Sequence, residues 1–318
     1  MSSPTITVIA TCFNHERFLL ETLESIRAQT FQDFQLIVTD DASRDGSPEL
    51  IAQWLRTHRP DAQFIRHTVN AGLCRTLNEA LAAAHGEFIC MIATDDCWEP
   101  DRLERHMVAF AAQSEQVAVV YSDAAQMDEQ GAPLPLGFIE EHRSGFAPPS
   151  GKLFATLADG NFIPAMAATI RRSAIAAAGG YDERLSYEDY DMWLRLSARF
   201  DFAFCPGKVA RYRIVSTSLV RTLFVRPTAH HSHTSYLIRQ KWLGSTLLSP
   251  EQRARWSRQL WESAYNLYRL DDPRAARALW AASRFGRRPR AAILALASML
   301  GLSRSRVRRL TGASEAAQ

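Results

Sequence analysis

Residues 88–100 read FICMIATDDCWEP. Five apolar residues, Phe88 to Ile92, run without interruption, and the run stops at Thr94-Asp95-Asp96. A short continuous apolar run that ends in polar turn residues reads as a strand buried on both faces. The same grammar appears upstream at Ile6–Ala10 and at Phe34–Thr39, which stops at Asp40-Asp41, with a shorter strand at Phe64–His67. Helical periods fill the gaps. Residues 16–29 place Phe18, Leu19, Leu23 and Ile26 on one face. Pro48–Thr57 is a helix that Ser47 would cap, with Pro48 at the first helical position. Thr76–Ala84 is a third helix, and His85-Gly86 ends it. Strand–helix alternation predicts an α/β chain with a mostly parallel sheet flanked by helices. Ligands of such sheets bind in the loops at the carboxyl ends of the strands, and both acidic pairs, 40/41 and 95/96, fall on that edge.

Beyond Asp101 the pattern is mixed. Val117–Tyr121 reads as a strand, and residues 128–150, rich in Gly and Pro, as a loop or hairpin region. A strand within 163–171 leads to a short helix, Ser173–Ala178, closed by Gly179-Gly180. A strong helix spans Glu188–Phe200, with short strands at Phe202–Phe204 and Val209–Ile214. Past Val225 only helical signals remain.

The helix at 188–200 carries a chemical clue. Advancing about 100° per residue, Asp189 shares its face with Trp193, Leu196 and Phe200, whereas Asp191 and Arg195 form an (i, i+4) pair on the opposite, solvated face. An inward carboxylate at a helix start is costly unless it is capped, paired or used in a cleft. Burial would raise its pKa, as suits a general base. Adjacent carboxylates such as Asp95-Asp96 can hold a hard divalent cation; a lone pair of this kind also serves as ordinary turn chemistry.

Length and composition bound the rest. The chain has 318 residues, 47% hydrophobic and 22% charged, which excludes a disordered or collagen-like polymer. The five Cys (12, 74, 90, 97 and 205) show no Cys-x-x-Cys spacing and read as reduced thiols of a cytoplasmic protein. The N-terminal MSSPTITVIATCF reads as a strand and not a signal peptide, and no apolar run reaches the ~18 residues of a membrane span. The net charge of +3 conceals an asymmetry: Pro273–Gly312 holds ten Arg and no acid, leaving −6 on residues 1–272. No aromatic stacking pattern accompanies that basic tail, so nucleic acid is not an expected partner.

Four segments, taken in order, resemble the family-2 glycosyltransferases, inverting enzymes with a GT-A fold. They are TVIATCFNHERFLLETLESIRAQTFQDFQLIVTDDASRDGS from Thr5, NAGLCRTLNEALAAAHGEFICMIATDDCWEPDRL from Asn70, GGYDERLSYEDYDMWLRL from Gly179 and ARYRIVSTS from Ala210. The resemblance implies a nucleotide-sugar-binding half at 1–105, an acceptor-binding and catalytic half at 106–224 and a helical basic extension at 225–318. It implies that Thr11, Phe13 and Asn14 lie near the nucleoside, that Asp40 accepts from the base, and that Arg75 lies near the base or phosphates. Asp96 would ligate Mg²⁺ or Mn²⁺, with Asp95 as second ligand or ribose contact. Asp189, with Glu188, matches the catalytic base.

The implied activity is metal-dependent transfer of a sugar from a nucleotide-sugar donor, UDP first among carriers. The acceptor would be a hydroxyl of a glycan or lipid-linked glycan, in surface polysaccharide, lipopolysaccharide or exopolysaccharide synthesis. Two other readings use the same residues: transfer to a polyprenyl phosphate, which needs no base, and non-catalytic nucleotide-sugar binding. Two positions depart from the family pattern. Ala93 stands where many members have an acid, and Arg213 is followed by Ile214-Val215 where many have a histidine, leaving His230, His231 and His233 as distant substitutes. The basic tail predicts either a peripheral site at the inner face of the inner membrane or helices packed on the acidic body.

Overall fold

The computed structural model describes residues 4–215, 228–286 and 289–302. Strands and helices are numbered in chain order over these residues. The strands are β1 (Ile6–Cys12), β2 (Phe34–Asp40), β3 (Gln63–Arg66), β4 (Phe88–Ala93), β5 (Cys97–Trp98), β6 (Val117–Met127), β7 (Pro133–Gly137), β8 (Ala168–Arg171) and β9 (Asp201–Arg213). The helices are α1 (Leu19–Arg27), α2 (Ser47–His58), α3 (Leu73–Ala82), α4 (Arg102–Ala111), α5 (Phe138–His142), α6 (Phe154–Leu157), α7 (Arg172–Ala178) and α8 (Asp189–Ser197), then α9 (Ala229–Trp242), α10 (Pro250–Arg269), α11 (Ala275–Gly286) and α12 (Pro289–Met299).

The nine strands form one sheet in the order β3-β2-β1-β4-β8-β6-β9-β5, with β7 paired to β6. Pairs β1–β2, β1–β4, β2–β3 and β6–β9 are parallel, and β8 runs antiparallel to both β4 and β6. Alternate residues of the central strands (Ile6, Val8 and Ala10 with Leu36, Val38, Cys90 and Ile92) pack on Leu19, Leu23 and Ile26 of α1 and Ile51 and Trp54 of α2. Each buried Leu, Ile or Val contributes roughly 1.5–3 kcal/mol of transfer free energy. Thr7, Ile9 and Ile37 on the other face are equally buried, which is why these strands read as unbroken apolar runs.

The sheet must curl. On its path β5 stands four strand spacings from β4, ~19 Å if the sheet were flat. The step from Ala93 to Cys97 can reach only ~14 Å fully extended. The turn Thr94–Asp96 therefore bridges the curl and meets the end of β9, where Cys97 pairs with Arg211 and Trp98 with Ala210.

Several elements differ from expectation. Helix α1 begins at Leu19, after a turn in which the Phe18 and Leu19 N–H groups donate to the His15 carbonyl. Ser47 is not a cap but the first residue of α2, and its hydroxyl accepts from the His15 N–H at 3.2 Å. The two short strands after residue 200 are one strand, β9, whose Pro206–Lys208 stretch bulges into solvent while Phe202 and Val209 stay buried. Residues 128–150 divide into β7, α5 and a loop.

The chain forms two compact units: Met1–Glu183 with Tyr187–Ser216, and Arg184–Ser186 with Thr217–Gln318. The expected boundary at 224–225 lies outside the described residues. In the second unit a capping box of Ser249 and Gln252 opens α10, and Trp256, Leu260, Ala264, Leu267, Ala278 and Leu279 are buried. Among the described residues no helix is long and apolar enough to cross a membrane. All five cysteines are free.

Candidate active site

Strand register sets one rim of the site. Cys12 lies opposite Asp40 and Thr11 opposite Ala93, so the ends of β1, β2 and β4 share an edge. The loops that follow are laced together. The Asn14 N–H donates to Ser43 Oγ, Asn14 Oδ1 accepts from the Arg44 N–H, and Glu16 and Asp45 exchange carboxylate–backbone bonds with Gly46 and Glu16. Asn14 and Ala42 adopt left-handed φ of 58° and 62°, a conformation that side-chain-bearing residues enter at a cost. Asn14 thus braces the two loops. Phe13 stands beside it 44% exposed, an aromatic face open to solvent at a strand end.

Asp40 is fully buried. Its Oδ1 accepts from the Ser43 N–H at 3.0 Å, and its Oδ2 has no partner among the described residues. A buried carboxylate oxygen without a donor is costly. The neighbouring Asp41 is fully engaged: it accepts from the Ala71 and Gly72 N–H groups and bonds His67 Nδ1 at 2.8 Å. Burial works against charge on His67, but the bonds to Asp41 and Glu79 prevail and raise its pKa. Arg75 is paired with Glu79 at 3.0 Å, its side chain 59% exposed; the structure does not bring it against the other expected site residues.

The members of the first acidic pair face different ways. Asp96 is 2% exposed, and its Oδ1 accepts from the Arg213 N–H at 2.9 Å. Burial, then the adjacent Asp95 charge, pushes its pKa well up against the opposing pull of Arg213. Asp95 keeps a partly open side chain, with Oδ2 3.7 Å from His15 Nε2. His15 Nδ1 bonds Thr94 Oγ1 at 3.0 Å. Arg213 binds the turn on a second side, donating from Nε to the Asp95 carbonyl at 2.8 Å, while its guanidinium pairs with Glu21 and lies 4.7 Å from the Phe18 ring centroid.

The second acidic pair opens α8. Asp189 Oδ2 accepts from Asn161 Nδ2 at 2.7 Å and Oδ1 from the Tyr190 N–H at 2.6 Å. Burial raises the pKa of Asp189 against these bonds. Burial and then the Asp189 charge push Glu188 up to about 8. Two such neighbours titrate as one system, in which the rise to about 8 falls on Glu188 and the hydrogen-bond donors fall on Asp189. The expectation for Asp191 is overturned. It is fully buried, bonded to Arg195 Nε at 2.8 Å, and Arg195 donates onward to the Ala178 and Gly180 carbonyls. The pair bolts α8 to the end of α7.

Tyr212 feels charge from both acidic pairs. Its phenol is pushed up by burial and then by the charges of Asp96, Asp95, Glu141 and Asp189, and its ring meets Phe138 edge-on at 5.6 Å. Tyr212 and Arg213 lay within the last motif of the sequence but had no assigned role. His15 had one signal only, its place beside Asn14. Asn161 had none.

The donors suit a hard cation. The turn offers carboxylate oxygens, as Mg²⁺ and Mn²⁺ prefer. Among the described residues no three His, Cys, Asp or Glu side chains converge as a metal-binding group, so a cation here would take further oxygens from a diphosphate or water. His230, His231 and His233 belong to α9 in the second unit.

Residues 7–177 match the family model described as glycosyl transferase family 2. The fold is GT-A. The chain is similar, by fold, to the Staphylococcus aureus TarS 1–349 structure in complex with UDP-GlcNAc (TM-score 0.63, 16% identity, covering 98% of this chain and 93% of that one). It is likewise similar to a Pyrobaculum calidifontis mannosyltransferase in complex with GDP-Man and Mn²⁺ (TM-score 0.60, 21% identity, 98% and 84%). In sequence it is 31% identical over 197 residues to EpsE of Bacillus subtilis, named as a glycosyltransferase (61% of this chain, 67% of EpsE). It is 28% identical over 143 residues to WcaA of Escherichia coli, named for colanic acid biosynthesis (42% and 49%). The chain belongs to glycosyl transferase family 2 and is an enzyme of that class.

Proposed function

We propose that this enzyme transfers a sugar, with inversion, from a nucleoside-diphosphate sugar to a hydroxyl of a glycan or lipid-linked glycan in cell-surface polysaccharide synthesis. UDP is the first candidate carrier. The observation that carries the reading is the pair of acidic dyads, 95/96 on the turn after β4 and 188/189 at the start of α8, with Asp95, Asp96 and Asp189 all acting on the Tyr212 phenol. One dyad suits a leaving diphosphate with its cation, the other an incoming hydroxyl.

Each residue has a role in the proposal. Phe13 offers a stacking face to the base. The unsatisfied Asp40 Oδ2 would accept its ring N–H, with Thr11 and Asn14 shaping the pocket. A bound Mg²⁺ or Mn²⁺ would neutralise charge developing on the diphosphate. Asp95 is the better placed ligand of its dyad, because Asp96 is sunk and holds the Arg213 N–H; Asp96 orients the turn and offers its remaining oxygen. Asp189, aimed by Asn161 and gripped by the Tyr190 N–H, takes the proton of the attacking hydroxyl. The acceptor oxygen bonds to the anomeric carbon as the carbon–phosphate-oxygen bond breaks on the opposite face.

The test is a thermal-shift screen with Mn²⁺ and UDP-, GDP- and dTDP-sugars. The anomeric configuration of the product formed from the stabilising donor is then read by NMR. Retained configuration would reject the mechanism. A phosphate acceptor, already an anion, would make Asp189 dispensable. The WcaA name and the UDP-GlcNAc of TarS support the polysaccharide and UDP elements. The cytoplasmic side of the inner membrane is the proposed place of work, where nucleotide sugars and lipid-linked acceptors meet.

A further inference from the structure

The last described helix of the second unit, α12, buries small residues and exposes large ones, and α11 before it buries Ala278 and Ala282 with Leu279. Ala291 and Ala295 of α12 are buried, whereas Ile293, Leu296 and Leu300 are 64%, 53% and 77% exposed. At about 100° per residue those three fall on one face, opposite Ala291 and Ala295. An ordinary surface helix turns such residues inward. Helix α11 presents a second exposed stripe, Arg277, Trp280 and Arg284, with the Arg284 guanidinium 6.0 Å from the Trp280 ring centroid. Arg290 is exposed at the start of α12. The sequence from Pro273 to Gly312 contributes ten Arg and no acid.

We propose that α11 and α12 form a docking surface for an anionic lipid bilayer, with α12 lying in the headgroup plane. Three observations select lipid as the occupant. Beyond Arg290 at its start, the exposed side chains of α12 are apolar and offer no hydrogen-bonding pattern to read. The flanking guanidinium groups match lipid phosphates in charge and geometry. The helix, about 16 Å long by its rise, is far shorter than the ~30 Å hydrocarbon core, so it can lie on a bilayer but not span one. Aliphatic insertion with basic flanks is the arrangement of interfacial helices, and a single Trp between arginines suits the same boundary.

The test is sedimentation of the full chain with vesicles of phosphatidylcholine alone and of phosphatidylcholine mixed with phosphatidylglycerol, at low and high salt. We expect partitioning at least about tenfold stronger onto the anionic vesicles, weakened by salt. We expect it to be lost in Ile293→Glu/Leu296→Glu/Leu300→Glu and reduced in Arg277→Ala/Arg284→Ala. Far-UV circular dichroism verifies folding. Should the triple variant misfold, Leu300→Glu alone, at the most exposed position, must still lower partitioning. Equal pelleting with neutral vesicles, or equal pelleting of the variants, overturns the proposal. So does a wild-type dimer that the triple variant converts to monomer without vesicles, which would make the face a contact between copies. The readout needs no donor or turnover, so its failure leaves the transferase reading intact.

Discussion

The two acidic dyads contain the same chemistry and are built in opposite ways. Asp95-Asp96 sits on a turn between strands and is held from below: the second residue is buried and tied to Arg213, leaving the first partly open. Glu188-Asp189 sits at a helix start and is held from the side: Asn161 and the Tyr190 N–H grip the second residue while the pKa of the first is pushed up to about 8. In each, burial raises the pKa of a member that has a second carboxylate beside it, but the donors fall differently: the Arg213 N–H on the buried Asp96, and Asn161 with the Tyr190 N–H on Asp189. That difference suits the first dyad to the proposed cation and the second to the proposed proton transfer.

The sharpest way to break the comparison is Asp189→Asn. Loss of a general base costs roughly 10²–10⁴-fold in turnover. We expect a loss in that range with donor affinity nearly unchanged, measured by initial rates and calorimetric titration of the nucleotide. Near-normal turnover would remove the base. Next is a contrast within the first dyad. Asp95→Asn should weaken Mn²⁺-supported donor binding by about 10–100-fold, while Asp96→Asn, which keeps an oxygen for the Arg213 N–H, should weaken it less. Thermal shifts with and without Mn²⁺ measure both, and the reverse ranking would return the ligand role to Asp96.

A third prediction tests the protonated neighbour. The pKa of Glu188 rises on folding from 4.5 to about 8. Its protonation therefore favours the folded state fully below pH 4.5, and that contribution is lost as pH rises through about 8. Denaturant titrations of the wild type should show this decline, and Glu188→Gln should flatten it. The smallest effect belongs to His67. Its pKa is raised above 6.5 by Asp41 and Glu79, so its contribution is present below 6.5 and fades as pH rises through the folded value. His67→Ala should lower Tm by a few degrees, about 1 kcal/mol or less, in mild acid and by less in mild alkali.

Much of this site was legible because it lies at the ends of unbroken apolar runs. Asp40 and Asp95 follow directly from where β2 and β4 stop, whereas Thr11 came only from the family resemblance. Asp189 was legible from its helical face. Asp191 was misread because an (i, i+4) ion pair is usually a surface feature, and nothing local reveals that Arg195 caps carbonyls at the end of α7. Asn161 and Tyr212 reach the dyads only through tertiary folding, and Pro206-Gly207 disguised a single strand as two. The curl of the sheet, which delivers β9 to Asp96, emerged only from strand order.

That delivery bears on how the enzyme is made. The Asp95-Asp96 turn emerges from the ribosome early, but its clamp, Arg213, is translated more than a hundred residues later. Until then Asp96 lacks its backbone donor and β5 lacks its strand partner. The Asp95-Asp96 turn is therefore completed only once β9 has been made, and a chain cut short before Arg213 would lack that clamp.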